Sequence, residues 1–277
     1  MKPPLVSLVI ISHNHLDLIR GCMDSLQITT GVDYEVVVVD NATTDPETLD
    51  ALKRYRDSGR IDTLILSPVN NMLSEGYNIG VRSGNQKSEY VVLLNNDVLF
   101  LHKDWLLRMI QWMHGHPCYL PSYGANRDTH VGSGLPRHSD YSQGVIGTFS
   151  LAKPVRDIVS YGWSNDPLVE HRIRPEGFCC MIRRSCWIDI SPDFPFYSGL
   201  DEMFGTIIKN GARCGVLSYY GKYFYHIQHG SGGGITITNQ GFKRESDLPG
   251  WYKGVKCELL DEEYPKDGIE TGLYLEW

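Results

Sequence analysis

The 277-residue chain has no C-x-x-C pair, no G-x-x-x-x-G-K-[ST] loop and no apolar stretch approaching the roughly 20 residues that span a bilayer. Each absence removes a class. Its seven cysteines are odd in number and lack metal-type spacing, so neither a disulfide framework nor a zinc knuckle is indicated. A reducing compartment is the simplest reading. The missing phosphate loop disfavours a P-loop nucleotidase. Basic residues are in the minority, 26 against 33 acidic, and the net charge of −7 argues against a broad nucleic-acid footprint. Arg183-Arg184 reads as a solvated strand end rather than a binding patch. No small-residue cleavage site follows the apolar run at 5–11. The expectation is a cytoplasmic protein with no transmembrane segment and no nucleic-acid partner.

What is present is an alternation. The 42% hydrophobic content suffices for one large α/β domain or two small ones. Residues 5–11 predict a first strand, followed by a helix that buries Leu16, Ile19, Met23 and Leu26 along one stripe, with Asn14 as its cap. Between them stands Ser12-His13-Asn14, where a Rossmann protein would carry G-x-G-x-x-G. A second strand at 34–39 ends at Asp40-Asn41. Asp45-Pro46-Glu47 then supplies a helix cap, first-position proline and early acid, and that helix ends near Gly59.

A third strand at 61–66 precedes a weaker helix at 74–83. Its Gly76 and Gly80 each cost about 1 kcal/mol relative to alanine, which points to close packing by the sheet or by a ligand. Residues 90–94 form an apolar run that stops abruptly at Asn95-Asn96-Asp97. Strands alternating with helices predict parallel pairing with right-handed crossovers. A carboxylate at the end of such a strand sits where open α/β sheets bind ligands. Asn-Asn-Asp also suits a plain turn.

Asp104 then caps a helix bearing Trp105, Leu106, Met109, Ile110 and Met113, which stops at Gly115 and Pro117. From 117 to 175 the pattern weakens into mixed polar and aromatic residues, as functional segments do. A strand at 177–182 holds Cys179-Cys180 as buried small hydrophobes. Asp201-Glu202 opens a helix that ends at Gly211, and 216–225 reads as a further strand before the polar loop HIQHGSGGG. The domain expected is 1–240, with a binding half at 1–115 and an acceptor half at 116–240. Residues 241–277 form a loop-like extension, a lid or an interface arm.

In this order, VSLVIISHN, YEVVVVDNATTD, NNMLSEGYNIG and VVLLNNDV resemble family 2 glycosyltransferases with the GT-A fold, over residues 6–231. GFCCMIRR, LDEMFG and HIQHGS are similar to the family's acceptor-side elements. The resemblance implies an α/β, Rossmann-like, mostly parallel central sheet flanked by helices, with a smaller acceptor-side region. It also implies a nucleoside-diphosphate sugar donor (UDP favoured, GDP or dTDP open), a glycan or glycosylated acceptor, and Mn2+ or Mg2+. Ser12, His13 and Asn14 would meet the base or ribose. Asp40 would accept from the base or ribose hydroxyls, against the alternative of a turn or capping Asp. Asn70 and Asn78 would frame the loop over the nucleotide, although Met72-Leu73 stands where the family has Gly-Phe.

By the same resemblance Asn95 matches the first position of the family's DXD motif, with Asn96 beside it, and Asp97, its last acid, would be the metal ligand. His226 would add an imidazole, with His229 as competitor. Asp201 or Glu202 would be the catalytic base, Asp201 preferred; acids at a helix start also suit the dipole. Residues 117–175, with Trp163, would present the acceptor surface, and the segment 230–234 would close over the phosphates. A sugar nucleotidyltransferase and a decayed nucleotide- or carbohydrate-binding scaffold are the competing classes.

Overall fold

Uninterrupted Val, Ile and Leu runs make strands that must be covered on both faces. β1 (Val6–Ser12), β2 (Tyr34–Asn41), β3 (Thr63–Ser67) and β4 (Tyr90–Asn95) meet that demand, and every residue of β1 and β4 is buried. The computed structural model describes residues 5–114, 158–162, 177–195, 197–218, 224–226 and 258–259. It pairs these four strands in parallel, in the order β4-β1-β2-β3.

β5 (Val98–Phe100) leaves this sheet, and β6 (Ile158–Gly162), β7 (Cys179–Arg183) and β8 (Cys214–Ser218) extend it beyond β4. β9 (Phe224–His226) pairs antiparallel with β5 in a separate ribbon. β10 (Glu258–Leu259) lies parallel to β8 and completes the eight-stranded order β10-β8-β6-β7-β4-β1-β2-β3. β7 is antiparallel to both its neighbours, β4 and β6, so it alone runs against the rest. The mostly parallel sheet expected from the sequence is therefore present, and part of the carboxyl-terminal extension belongs to it.

Helices α1 (Leu16–Leu26), α2 (Pro46–Asp57), α3 (Met72–Ser83), α4 (Trp105–Met113) and α5 (Tyr197–Lys209) cover the two faces. Because side chains alternate along a strand, Leu8 and Ile10 join Ile19, Leu52 and Trp105 on one side. Val9 and Ile11 join Tyr77, Met203 and Phe204 on the other. Each fully buried side chain of this kind stabilises by about 1.5–3 kcal/mol, against about 1 kcal/mol for a cap. The double-sided burial, not the caps, holds the fold.

Several local expectations change. Asp45 does cap α2, its carboxylate accepting from Glu47 N and Thr48 N. Asn14 does not cap α1. The cap position falls to His15, at φ 56, with no side-chain cap bond, and Asn14 bonds elsewhere. Asp104 takes the cap position of α4, again with no side-chain cap bond. The strand expected over 216–225 is two strands, β8 and β9. Arg183 and Arg184 are half-buried rather than solvated: Arg183 donates to Glu89 at 2.8 Å, and Arg184 to Ser7 and Ser88.

The glycines of α3 answer to the sheet. A Cβ on Gly80 would lie 2.3 Å from Val9 Cγ1, and one on Gly76 would lie 3.2 Å from Ile11 Cδ1.

Candidate active site

β1 lies between β2 and β4 in the sheet. The chain leaves β1 toward β2 and β3, then returns to β4 on its opposite side, which makes the β1/β4 boundary a topological switch point. Ligands of open α/β sheets bind in the crevice beyond the carboxyl ends of the strands at such a point. The register sets Ser12 opposite Asp40, and Ile11 opposite Asn95. Ser12, His13, Asp40 and Asn95-Asn96-Asp97 thus come to one edge of the sheet.

The backbone along this edge is unusual. Among the described residues, the non-glycine positions with positive φ are Asn14 (53°), His15 (56°), Ala42 (57°) and Met72 (58°). They follow β1, β2 and β3. A left-handed conformation costs an L-residue roughly 1–2 kcal/mol, and such strain collects at functional sites.

Side chains lash these loops together. His13 Nδ1 lies 2.6 Å from the Asn41 carbonyl, which can only accept, so Nδ1 carries the proton and donates. Nε2 is then the acceptor facing the Asn14 amide at 3.3 Å. Asn14 Oδ1 accepts from Thr44 N at 3.0 Å and Asp45 N at 3.3 Å, while its backbone N–H donates to Thr43 Oγ1 at 2.8 Å. Asn41 Nδ2 donates to the Met72 carbonyl at 2.8 Å. Asn41 was not singled out from the sequence, yet it joins the loops after all three strands. The one sequence signal for it was its place directly after Asp40.

Asp40 is 1% exposed and accepts from Thr43 twice, from the backbone N–H at 3.0 Å and from the hydroxyl. These contacts are those of a turn-building Asp, the alternative to a ligand contact. A carboxylate retains further lone pairs, so a ribose or base contact would be shared with Thr43. Burial raises its pKa above the ordinary aspartate value, against the lowering effects of Thr43 and of His13. Between the ordinary and the raised value the folded chain holds more protons than the unfolded chain. Stability therefore falls as pH rises through that window and stays lower above it. Asp40→Asn removes the charge while Oδ1 still faces Thr43 N–H. It is expected to melt higher than wild type at neutral pH, with the difference closing below about pH 3.9. Parallel pH–Tm curves for the two proteins would show that Asp40 does not titrate this way.

The amino terminus of α3 is already occupied by the protein. Asn70 Oδ1 accepts from Met72 N at 2.8 Å, and the Pro195 carbonyl accepts from Leu73 N and Ser74 N. Its free N–H groups are thus not left for a phosphate. Asn78, expected over the nucleotide, is 1% exposed and exchanges two hydrogen bonds with the Ile190 backbone, at 2.9 and 2.8 Å. It clamps α3 to the segment before α5, and its amide is turned to packing.

Asn95, Asn96 and Asp97 are 8%, 5% and 4% exposed. Tyr77, missed in the sequence, donates from its hydroxyl to Asn95 Oδ1 at 3.0 Å and so orients the residue at the position where the family motif has an acid. Cys22 lies beneath. Burial first, and the Asp97 charge second, push its thiol pKa up, and its Sγ points to the Asn95 carbonyl at 3.9 Å.

The β5–β9 register brings residue 226 to the strand that follows Asp97. Val98, next to Asp97, pairs with His226. Among the described residues no three His, Cys, Asp or Glu side chains cluster as a metal cage. A carboxylate at this edge fits a hard cation that takes its other ligands from phosphate and water. His229, Trp163 and the segment 230–234 lie outside the described residues.

Asp201 and Glu202 do not open a helix. α5 begins at Tyr197, so both stand in its second turn, beyond the reach of the terminal dipole. Asp201 is 8% exposed beside the buried Leu200 and Met203. Glu202 is half-buried and accepts from the Thr206 hydroxyl at 3.4 Å. The preceding segment touches α3 directly, Ser74 Oγ donating to the Phe194 carbonyl at 2.5 Å. α5 therefore enters at the carboxyl-end rim, although the acids themselves are set back within the helix.

Comparison with known proteins agrees with this fold. Among solved structures, the mannosyltransferase PcManGT of Pyrobaculum calidifontis, in complex with GDP-Man and Mn2+, superposes with a TM-score of 0.53. It is 19% identical, over 76% of this chain and 54% of that one. TarS 1-349 of S. aureus gives 0.50 at 16% identity, over 80% and 60%. Glucosyl-3-phosphoglycerate synthase of Mycobacterium tuberculosis, with Mg2+ and UDP, gives 0.50 at 12%, over 80% and 71%.

At these identities the likeness is one of fold, the GT-A fold of glycosyltransferases. An uncharacterized Sinorhizobium fredii protein, y4gI, is 31% identical over 108 residues, which are 39% of this chain and 12% of that relative's length. No described helix is long and apolar enough to cross a membrane. Residues 7–165, more than half of the chain, match the family model for glycosyl transferase family 2, and the chain belongs to that family.

Proposed function

We propose that the protein transfers a sugar from a nucleoside-diphosphate sugar to an acceptor hydroxyl, on a glycan, in one inverting displacement aided by a divalent cation. The observation that carries this reading is the buried Asn95-Asn96-Asp97 edge at the switch point, with His226 in register beside it. The acceptor oxygen forms its bond to the anomeric carbon as the bond to the diphosphate oxygen breaks. The acceptor proton passes to Asp201, with Glu202 as the alternative base. Asp97 would hold the cation, and His226 would add a second ligand.

The cation would neutralise charge on the departing diphosphate. Mn2+ with GDP-mannose and Mg2+ with UDP, in the similarly folded enzymes, support a hard cation and a guanosine or uridine donor. His13 and the Asp40–Thr43 turn shape the base and ribose end of the crevice. Asn95 presents an amide there, held by Tyr77.

The test is thermal stabilisation by UDP, GDP and dTDP, with and without Mn2+. At a hundred times the dissociation constant, binding should add about 2.7 kcal/mol, a readily visible melting shift that depends on base and metal. No shift with any nucleotide would favour a second reading, a carbohydrate-binding scaffold that has lost catalysis. Asn95 in place of an acid is the observation on that side.

A further inference from the structure

Met72 occupies a left-handed backbone position, φ 58, where a side chain is penalised and glycine is not. The hydrogen bonds at this residue do not explain its side chain. Its N–H donates to Asn70 and its carbonyl accepts from Asn41. Both are backbone groups, and a glycine would make the same two bonds.

Packing among the described residues does not explain it either. The side chain is half-buried, yet Met72 joins neither apolar cluster, whereas the next residue, Leu73, packs against one of them. Its location is specific: Asn41 binds the Met72 carbonyl through its amide and receives the His13 proton on its own carbonyl. Met72 thus stands on the carboxyl-end rim, one hydrogen-bonded residue away from His13.

Strained backbone positions that the surroundings hold in place cluster at ligand-binding sites, and the side chain kept at this one has a use that its backbone bonds do not supply. We propose that Met72 is a donor-binding side chain whose thioether packs against the face of the nucleobase. This rests on the glycosyl-transfer reading above. A polarisable sulfur suits an aromatic face, and an unbranched chain adapts to it. The contact contributes to the nucleoside part of the donor and nothing to its phosphates.

The experiment compares wild type, Met72→Gly and Met72→Leu, each with UDP, GDP and inorganic pyrophosphate in the presence of Mn2+. Met72→Gly should melt about 1–3 °C higher without ligand, since relief of strain outweighs the added freedom of the unfolded chain. Its dissociation constant for the preferred nucleoside diphosphate should rise about tenfold, with pyrophosphate affinity unchanged. Met72→Leu, apolar at the same place, should bind nucleotide within about threefold of wild type. Unchanged nucleotide affinity in Met72→Gly overturns the proposal, and so does a fall in its melting temperature, which would mean that the side chain supports the fold. Wild type that binds no nucleotide would overturn the glycosyl-transfer reading itself, a result distinct from either.

Discussion

Asp97→Asn should lower turnover about a thousandfold and leave the residue of activity indifferent to Mn2+ or Mg2+. A cation stabilising the leaving diphosphate contributes several kcal/mol, and each 1.36 kcal/mol is about a factor of ten in rate. Little else at this edge can take over. The preceding Asn95 and Asn96 are amides, and Asp40 is engaged by Thr43. The substitution is nearly isosteric at a residue 4% exposed, so the variant should fold, and a melting curve checks that. Initial rates across a metal titration are the measurement. Full metal-dependent turnover in the variant would remove Asp97 from the metal site.

The second large effect is expected at α5. Asp201→Asn should cost about 10²–10⁴-fold in kcat, the usual contribution of a general base. The acidic limb of its pH–rate profile should also be lost. Glu202→Gln should stay within about tenfold of wild type if Asp201 is the base. The ground for the difference is local. Asp201 is 8% exposed beside core residues, a site where water is scarce. Glu202 is half-buried and accepts from Thr206 one turn on. Activity surviving in Asp201→Asn but lost in Glu202→Gln would reverse the roles. Survival in both would place the base elsewhere in the chain.

Much of the binding half was legible in the sequence, because its signals are local and repeated. The apolar runs of β1, β2 and β4 carry strand character in their own composition. Asp45-Pro46-Glu47 starts α2 from a motif three residues long, and the abrupt end at Asn95 marks the carboxyl edge of the sheet. β3 was displaced by a residue or two, since Ile61 is a core residue of the loop, bonded to the Tyr55 carbonyl, rather than part of the strand. The acids of α5 were misplaced because the helix begins one turn earlier than its polar residues suggest, at Tyr197.

The site residues divide along the same line. That a carboxylate at 97 stands at the end of a buried parallel strand follows from the order of residues alone. Which side chains face ligand and which hold the protein together depends on partners 18 to 112 positions away: His13 with Asn41, Asn14 with Thr44, Tyr77 with Asn95, Asn78 with Ile190.

A polar residue at a loop carries the same propensity whether it binds a nucleotide or a neighbouring backbone, and only the fold brings one of those partners within hydrogen-bonding distance. Sequence by itself determined the parallel sheet, its covered faces and the chemical types gathered at its edge. Tertiary structure decided that Asn78 is a clamp, that Asn41 ties three loops together, and that Met72 stands strained where a glycine would rest.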